Sequence, residues 1–354
     1  MKKSEYTHIT PLGLRLWEFT GTAMANLFVF ILLGIYLSPL SYMVITSLKS
    51  RLQLLDFRAP IWPARAITYT YEGENYDVYY VPMEDEVRQL ALIKPTRTAS
   101  DFIDPNNPDA GLIHWQGSWR RLYRVYVPGI TLDNFIRLWN VIKYIPILGN
   151  TFFVVIVSEI GVLCSSIAVA YGISRFQIPG GNWLFLLIIA TMMIPDSILI
   201  VPSFVLFTRV LGWNGSYLPL IVPSFFGSAV YIFLLRQKFK SIPRDLDEAA
   251  MLDGAGPLRI LVSIILPQAV PIVATVALLH FFTMWNELRV SSLYLGIRPD
   301  LQTMAFTGQN AGGYGGTPEM LQASVLLLMA APVIVLLLSQ RFFMQDMIVT
   351  GMEK

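Results

Sequence analysis

Six long apolar runs set the terms for anything this chain can fold into. Phe19–Leu48 holds no charged residue, Tyr144–Tyr171 holds only Glu159, and Trp183–Val210 holds Asp196 and Arg209. Tyr217–Leu235 and Met320–Gln340 are free of charge, and Ile260–Trp285 has only His280. About 20 such residues cross ~30 Å of hydrocarbon, and helices of a soluble core carry a charged face that these runs lack. Charge is scarce and uneven: 14% of 354 residues, against ~25% in soluble domains. Of the 50 charged residues, 23 fall within Lys49–Ile147. The chain therefore reads as an all-α polytopic membrane protein of six helices, with a small β-containing insertion between the first and second.

Lys2 and Lys3 precede the first run, but it is too long for the ~7–15-residue core of a signal peptide, so it is expected to be retained. The basic residues of short loops orient the spans. Arg175, Arg236, Lys238, Lys240, Arg244, Arg259 and Arg341 fall on the side of both termini, against Arg209, Arg289 and Arg298 on the other. The expected layout is a cytoplasmic N-terminus (1–18), a first span (19–48), an extracytoplasmic insertion (49–143) and a core (144–354) with a cytoplasmic loop at 236–259. Within the insertion, Ile67–Glu72 and Tyr76–Val81 alternate as a hairpin around Gly73-Glu74-Asn75, and Asp101–Trp119 is rich in turn residues. It serves as a spacer over the membrane or as a docking surface. A net charge of +2 argues against nucleic acid, and the single Cys164 excludes a disulfide framework.

One cytoplasmic loop differs from the rest. After Arg236-Gln-Lys-Phe-Lys come Ser241, Pro243, and then Asp245, Asp247 and Glu248, an acidic first turn suited to the positive end of a helix. Ser241 is expected to cap it. Leu246, Ala249 and Ala250 lie at i, i+3 and i+4 and make a narrow face of mainly small groups. Gly254 can stop the helix in the left-handed conformation, which costs other residues ~1–2 kcal/mol. A short capped helix of this kind lets another protein approach its backbone closely; the bland reading is a mere connector.

Glu248-Ala249-Ala250-Met251-Leu252-Asp253-Gly254, followed by Ile264-Ile265-Leu266-Pro267, resembles the EAA loop of ATP-binding-cassette importer permeases. Met193-Ile194-Pro195, Val201-Pro202, Leu211-Gly212, Trp285-Asn286-Glu287 and Gln340-Arg341-Phe342-Phe343 are similar to the carbohydrate, maltose-permease-like branch, as are Ser47-Leu48-Lys49 and Asn134-Phe135 at the entry. The long segment 49–143 departs from that branch, whose outer loop is usually shorter. The resemblance implies a type I importer fold in a prokaryotic cell membrane. It implies a second permease subunit, an ABC ATPase dimer that holds ATP and Mg, and an extracytoplasmic sugar-binding protein. Glu248, Ala249, Ala250, Asp253, Gly254, Leu266 and Pro267 would couple to the ATPase. The chain has no Gly-x4-Gly-Lys-Ser/Thr loop, so no bound cofactor is expected on it, and ATP acts through the partner.

Two acids lie inside apolar runs, where a central charge costs ~2.5–3.5 kcal/mol on insertion scales. Asp196 follows Pro195, whose ring breaks a helix and frees carbonyls to line a cavity; a solute path or a polar anchor are both open. Glu159 is undecided between the same two. Asn286 and Glu287 are placed for an outer gate or receptor contact. The glycine-rich stretch Gly308–Gly316 is expected to reach toward that receptor, with a plain flexible loop as the alternative. An importer of a non-sugar solute and an ion-coupled secondary transporter remain rivals. An intramembrane enzyme lacks metal-ligand spacing among His8, His114 and His280.

Overall fold

The computed structural model describes residues 12–83, 86–310 and 317–351, with side chains from residue 20 to residue 340 within those stretches. They form two compact units, 1–134 and 135–354.

The first unit opens with α1 (Leu12–Ser47), exposed from 20 to 42 as suits an apolar helix in lipid. Ser50 caps α2 (Arg51–Leu55) by accepting from Gln53 N at 3.2 Å. Gln53 is buried and satisfied: its amide donates to Pro60 O (2.9 Å) and Trp62 O (2.7 Å) and accepts from Ala64 N (3.0 Å). Among the described residues eight strands follow: β1 (Ala64–Ala66), β2 (Thr68–Tyr71), β3 (Glu74–Pro82), β4 (Val87–Lys94), β5 (Ala99–Ile103), β6 (Ile113–Gln116), β7 (Tyr123–Arg124) and β8 (Tyr126–Pro128). Strands β2-β3-β4-β5-β6 make an antiparallel sheet with β7 also on β3, while β1 pairs with β8.

The β2–β3 hairpin is present, but its turn is Glu72-Gly73 rather than Gly73-Glu74-Asn75. Tyr71 pairs with Glu74, and residues 72 and 73 have φ of 49° and 85°. A two-residue loop with both φ positive matches the strand twist, and Gly73 takes the second position without steric cost. Alternation then sorts the core onto two faces: Tyr79, Val81, Leu90, Leu92 and Phe102 on one, Val78, Ala91, Ile103 and Val125 on the other. Trp115 meets Phe102 edge-on at 6.1 Å and Trp119 meets Tyr79 at 6.2 Å. Burial, with the bond that Tyr126 donates to Asp56 Oδ2 (2.9 Å), pushes the Tyr126 phenol up to about 12. The helix α3 (Asp133–Val141) crosses into the second unit.

The second unit is helical: α4 (Tyr144–Arg175), α5 (Gly181–Thr191), α6 (Asp196–Val205), α7 (Leu218–Ile221), α8 (Ala229–Ser241), α9 (Asp245–Leu252), α10 (Pro257–Ile260), α11 (Leu266–Gln268), α12 (Val270–Trp285), α13 (Arg289–Leu295), α14 (Met304–Asn310) and α15 (Pro318–Gly351). Among the described residues, four helical stretches are long and apolar enough to cross a membrane: Thr20–Ser47, Tyr144–Arg175, Leu218–Ser241 and Pro318–Gln340. Two more apolar segments are bent pairs, Gly181–Thr191 with Asp196–Val210 (90°) and Pro257–Gln268 with Val270–Trp285 (83°).

The break before Asp196 is the one Pro195 foretells. The second bend replaces the continuous run expected from Ile260 to Trp285. Pro267 and Pro271 each remove a helical donor and crowd the turn before them. The chain answers with a widened π turn at Leu261–Ile265 and a restart after Ala269. One core cluster gathers Tyr171, Leu235, Phe239, Ile260 and Ile265. Another gathers Leu138, Tyr144, Ile147, Trp285, Met304 and Met320. Of the glycine-rich stretch, 308–310 ends α14, and 311–316 lie outside the described residues.

Candidate functional site

The segment 236–259 is built differently from its sequence reading at the entry and as expected at the exit. Ser241 does not cap α9; it ends α8, its hydroxyl donating back to Lys238 O at 2.8 Å. Helix α9 starts at Asp245 without a side-chain cap, because Ile242, Pro243 and Arg244 intervene and Pro243 holds the chain out of helix. At the other end Gly254 has φ of +78°, Gly254 N donates to Met251 O (3.0 Å) and Ala255 N to Ala250 O (2.9 Å). That pair of bonds is a Schellman stop, which the left-handed glycine permits.

The small-residue face also divides. Leu246, Glu248, Ala249, Asp253, Gly254 and Pro267 are exposed, whereas Ala250 and Leu266 pack on the buried cluster of α4 and α8. Met251, Leu252 and Leu258 are exposed as well, so the outer side of α9 is an apolar surface that its own chain leaves uncovered. The inward side holds a charge instead: Asp247 is buried and pairs with Arg175 Nη1 at 3.3 Å. Arg175 Nη2 donates to Ile242 O (3.1 Å), and Tyr171 Oη donates to Pro257 O (3.0 Å). Sequence reasoning placed Asp247 in an acidic first turn and missed its pairing with Arg175 and the anchoring role of Tyr171. Arg175 looked like one more cytoplasmic charge at a span end, and no local spacing ties it to Asp247.

A second constellation sits at the break between α5 and α6. Asp196, the first residue of α6, and Glu287 line one cavity of about 350 Å³, together with Ser203, Ser224, Arg289 and Tyr294. Arg289 Nη2 stands 3.6 Å from Asp196 Oδ2, and neither side chain is buried by the chain itself. Glu287 Oε1 accepts from Val290 N at 2.8 Å and so caps α13, leaving its second oxygen uncommitted to that role. Asn286 is not part of this cavity. Its amide donates to Phe282 O (2.9 Å) and faces a separate hollow with Trp285, Leu288, Ala305 and Leu328. Adjacent residues at a helix end point apart, which the Trp-Asn-Glu signature alone does not reveal. The arrangement offers carboxylate acceptors, hydroxyls and a guanidinium around one space, which suits reversible hydrogen bonding to a polar solute.

Glu159 lines a third hollow, of about 400 Å³, between α4, α12 and α15; both its oxygens are buried without a hydrogen-bond partner. His280 is a packed core residue, with Nε2 3.3 Å from Ser158 Oγ and Tyr231 edge-on at 5.8 Å.

A match to the family described as binding-protein-dependent transport system inner membrane component spans residues 160–353. The chain is 30% identical over 181 residues to an osmoprotective compounds uptake permease protein of Synechocystis, covering 51% of this chain and 60% of that one. It is 28% identical over 229 residues to an alpha-glucoside transport system permease protein of Rhizobium meliloti, covering 62% and 60%. Each match thus spans less than two thirds of the relative's own length. Among solved structures, a bacterial ABC transporter involved in the import of the acidic polysaccharide alginate superposes with a TM-score of 0.61 at 19% identity, over 94% of this chain and 98% of that one. That likeness fixes the type I importer permease fold. The chain belongs to the family of binding-protein-dependent transport system inner membrane components, the membrane-spanning permease subunits of ABC importers.

Proposed function

We propose that this chain forms half of the pore of an ATP-driven sugar importer, a second permease subunit supplying the other half. Each bent pair counts as one span, so six helices cross the bilayer among membrane lipids. Both termini and residues 236–259 face the cytoplasm, and residues 49–143 face outside where a sugar-binding protein docks. ATP and Mg are held by an ATPase dimer below, and none is held by this chain.

The observation that carries this reading is the uncovered outer side of α9. Leu246, Ala249 and Leu252 are exposed beside Glu248, while Asp247 and Ala250 fasten the helix from behind. A helix gripped by its own chain on one side and apolar on the other is built to seat in a partner. Glu248 supplies a charged contact, Ala249 and Gly254 set the distance of approach, and Asp253 and Pro267 border the contact. Ala250 and Leu266 join the helix to the core. A stroke of the ATPases then shifts the pore between two states by differential binding. The alpha-glucoside relative supports a sugar as solute, as do the few polar groups, Asp196, Ser203, Ser224, Glu287 and Arg289, set in the otherwise mainly apolar wall of the cavity.

Reconstituted with its ATPase, second permease and receptor, the complex is expected to take up a labelled sugar only with ATP inside and receptor outside, and to continue when the proton gradient is collapsed. Uptake that survives ATP depletion and stops with the gradient overturns the reading in favour of ion coupling. At the cavity, the Asp196–Arg289 pair is exposed, and such pairs contribute ~0–1 kcal/mol. Arg289→Gln is therefore expected to leave the unfolding midpoint nearly unchanged while raising the half-saturating sugar concentration. A fall in thermal stability with unaltered uptake would return the pair to a structural role.

A further inference from the structure

The geometry points to α4 as the rod that carries the stroke from the coupling helix to the outer cavity, with Arg175, Tyr171, Asn150 and Thr151 as its positioning residues. The inference rests on the reading of α9 as the coupling helix.

At the cytoplasmic end of α4, two side chains hold the coupling segment at three places. Arg175 bonds Ile242 O ahead of α9 and pairs with Asp247 within it; Tyr171 bonds Pro257 O beyond Gly254. The ion pair is dry, its side chains 5% and 8% exposed, with Arg175 Nε and Asp247 Oδ1 left without partners. Loss of one charge would leave the other buried and unpaired, so the two move together or not at all. The covalent neighbours of α9 join it through short links that pack on the same cluster as Tyr171 through Ile242 and Ala255. It follows α8 through the uncapped link 242–244 and precedes α10 through Gly254-Ala255-Gly256. Displacement of α9 therefore reaches α4 directly, through side chains as well as along the chain.

From Asn150 to Arg175 the helix is continuous and free of proline, about 38 Å at 1.5 Å per residue. Of the neighbouring apolar segments, two are bent by 90° and 83° and one is interrupted at Gly227-Ser228, and bends absorb displacement; α15 is continuous but carries Pro332 and, among the described residues, has no bond to the α9 segment. At the far end, Asn150 Nδ2 donates to Asp300 O (2.8 Å) and Gln302 O (3.1 Å). Thr151 Oγ1 accepts from Met304 N (2.8 Å). The next link is Thr303 Oγ1 to Ser291 Oγ (3.1 Å), and Ser291 Oγ donates to Glu287 O (2.7 Å). Thr151, Ser291 and Thr303 are buried, so this path is shielded from competing water. It ends on the residue that caps α13 and lines the Asp196–Arg289 cavity.

The test uses the full reconstituted complex. Arg175→Gln and Asp247→Asn are each expected to keep the ATPase bound and basal hydrolysis within twofold, while receptor-stimulated hydrolysis and uptake fall at least tenfold. The exchange Arg175→Asp with Asp247→Arg is expected to recover a substantial share of both, which a general packing defect would not do. Thr151→Val with Asn150→Ala, at the opposite end, is expected to cut receptor stimulation at least fivefold with the ATPase still bound. In a Cys164→Ser background, spin labels at Ile178 and Arg244, the latter just ahead of α9 and away from its seating face, should keep one narrow distance with and without ATP, and broaden in Arg175→Gln. Full stimulation in all these variants, or a label distance that changes with ATP in the parent protein, overturns the rod. Should Gly254→Trp transport normally, the coupling-helix reading falls instead; should Gly254→Trp fail and Arg175→Gln transport normally, the rod alone falls.

Discussion

A Gly254→Trp variant is expected to insert and fold, to keep the distribution of its parent between membrane and soluble fractions, and to lose about a hundredfold or more of its uptake. The reasoning starts from what surrounds the glycine. A Cβ built at Gly254 meets nothing within 4 Å of its own chain, so added bulk has no intramolecular clash to make. What the chain itself loses is the left-handed backbone, φ +78°, at ~1–2 kcal/mol for an ordinary residue. That sum frays one Schellman stop and leaves the spans intact. An indole at this exposed position collides only with whatever seats on α9, and ~2.7 kcal/mol of lost seating already corresponds to a hundredfold. Gly254→Ala separates the terms, since it carries the same backbone penalty with one methyl group. Uptake near the parent level for Ala and near zero for Trp assigns the loss to the partner's surface. Equal losses in both would assign it to the helix stop.

The largest stability effect is expected from Phe102→Ala in the β-sheet unit. Phe102 is fully buried, packs edge-on against Trp115 and belongs with Tyr79, Val81, Leu90 and Leu92 to one face of the sheet. Truncating a buried phenylalanine costs ~3–5 kcal/mol, comparable with the whole stability of a small module at the low end of ~5–15 kcal/mol. Hydrogen exchange on the full chain is the measurement. Amides of β3, β4 and β5 should lose most of their protection, while those of α4, in the other compact unit, should keep theirs. Tyr80→Ala, on an exposed position of β3, should change little. Retained protection in Phe102→Ala would mean that the sheet does not depend on this cluster.

Local signals were readable from the sequence, and pairings between distant segments were not. The apolar runs, the break announced by Pro195, the alternation of Tyr76–Val81 and the stop at Gly254 are all dictated by residues within a turn or two of the feature. Ser241 illustrates how such a signal misleads: a hydroxyl near a helix start is indistinguishable, in sequence, from one that closes the helix before it. The bend at Ala269 was hidden because an apolar run stays apolar through a change of direction. Asp247 read as dipole-facing charge, and its true setting depends on Arg175, which only the packing of α4 against α8 brings near. Likewise Asp196 and Glu287 carried no mark of sharing a cavity, and Asn286 none of turning away from it.

Ionic strength separates the two ion pairs. Mobile ions screen charges that water reaches, with a Debye length of ~8 Å at physiological salt, and Arg289 and Asp196 are open to them at 48% and 81% exposure. Arg175 and Asp247 lie behind side chains that exclude both water and electrolyte. A rise in salinity therefore weakens electrostatic attraction at the cavity and leaves the Arg175–Asp247 pair untouched. The consequence is a cavity whose charges respond to the surrounding medium, while the clasp between α4 and α9 does not.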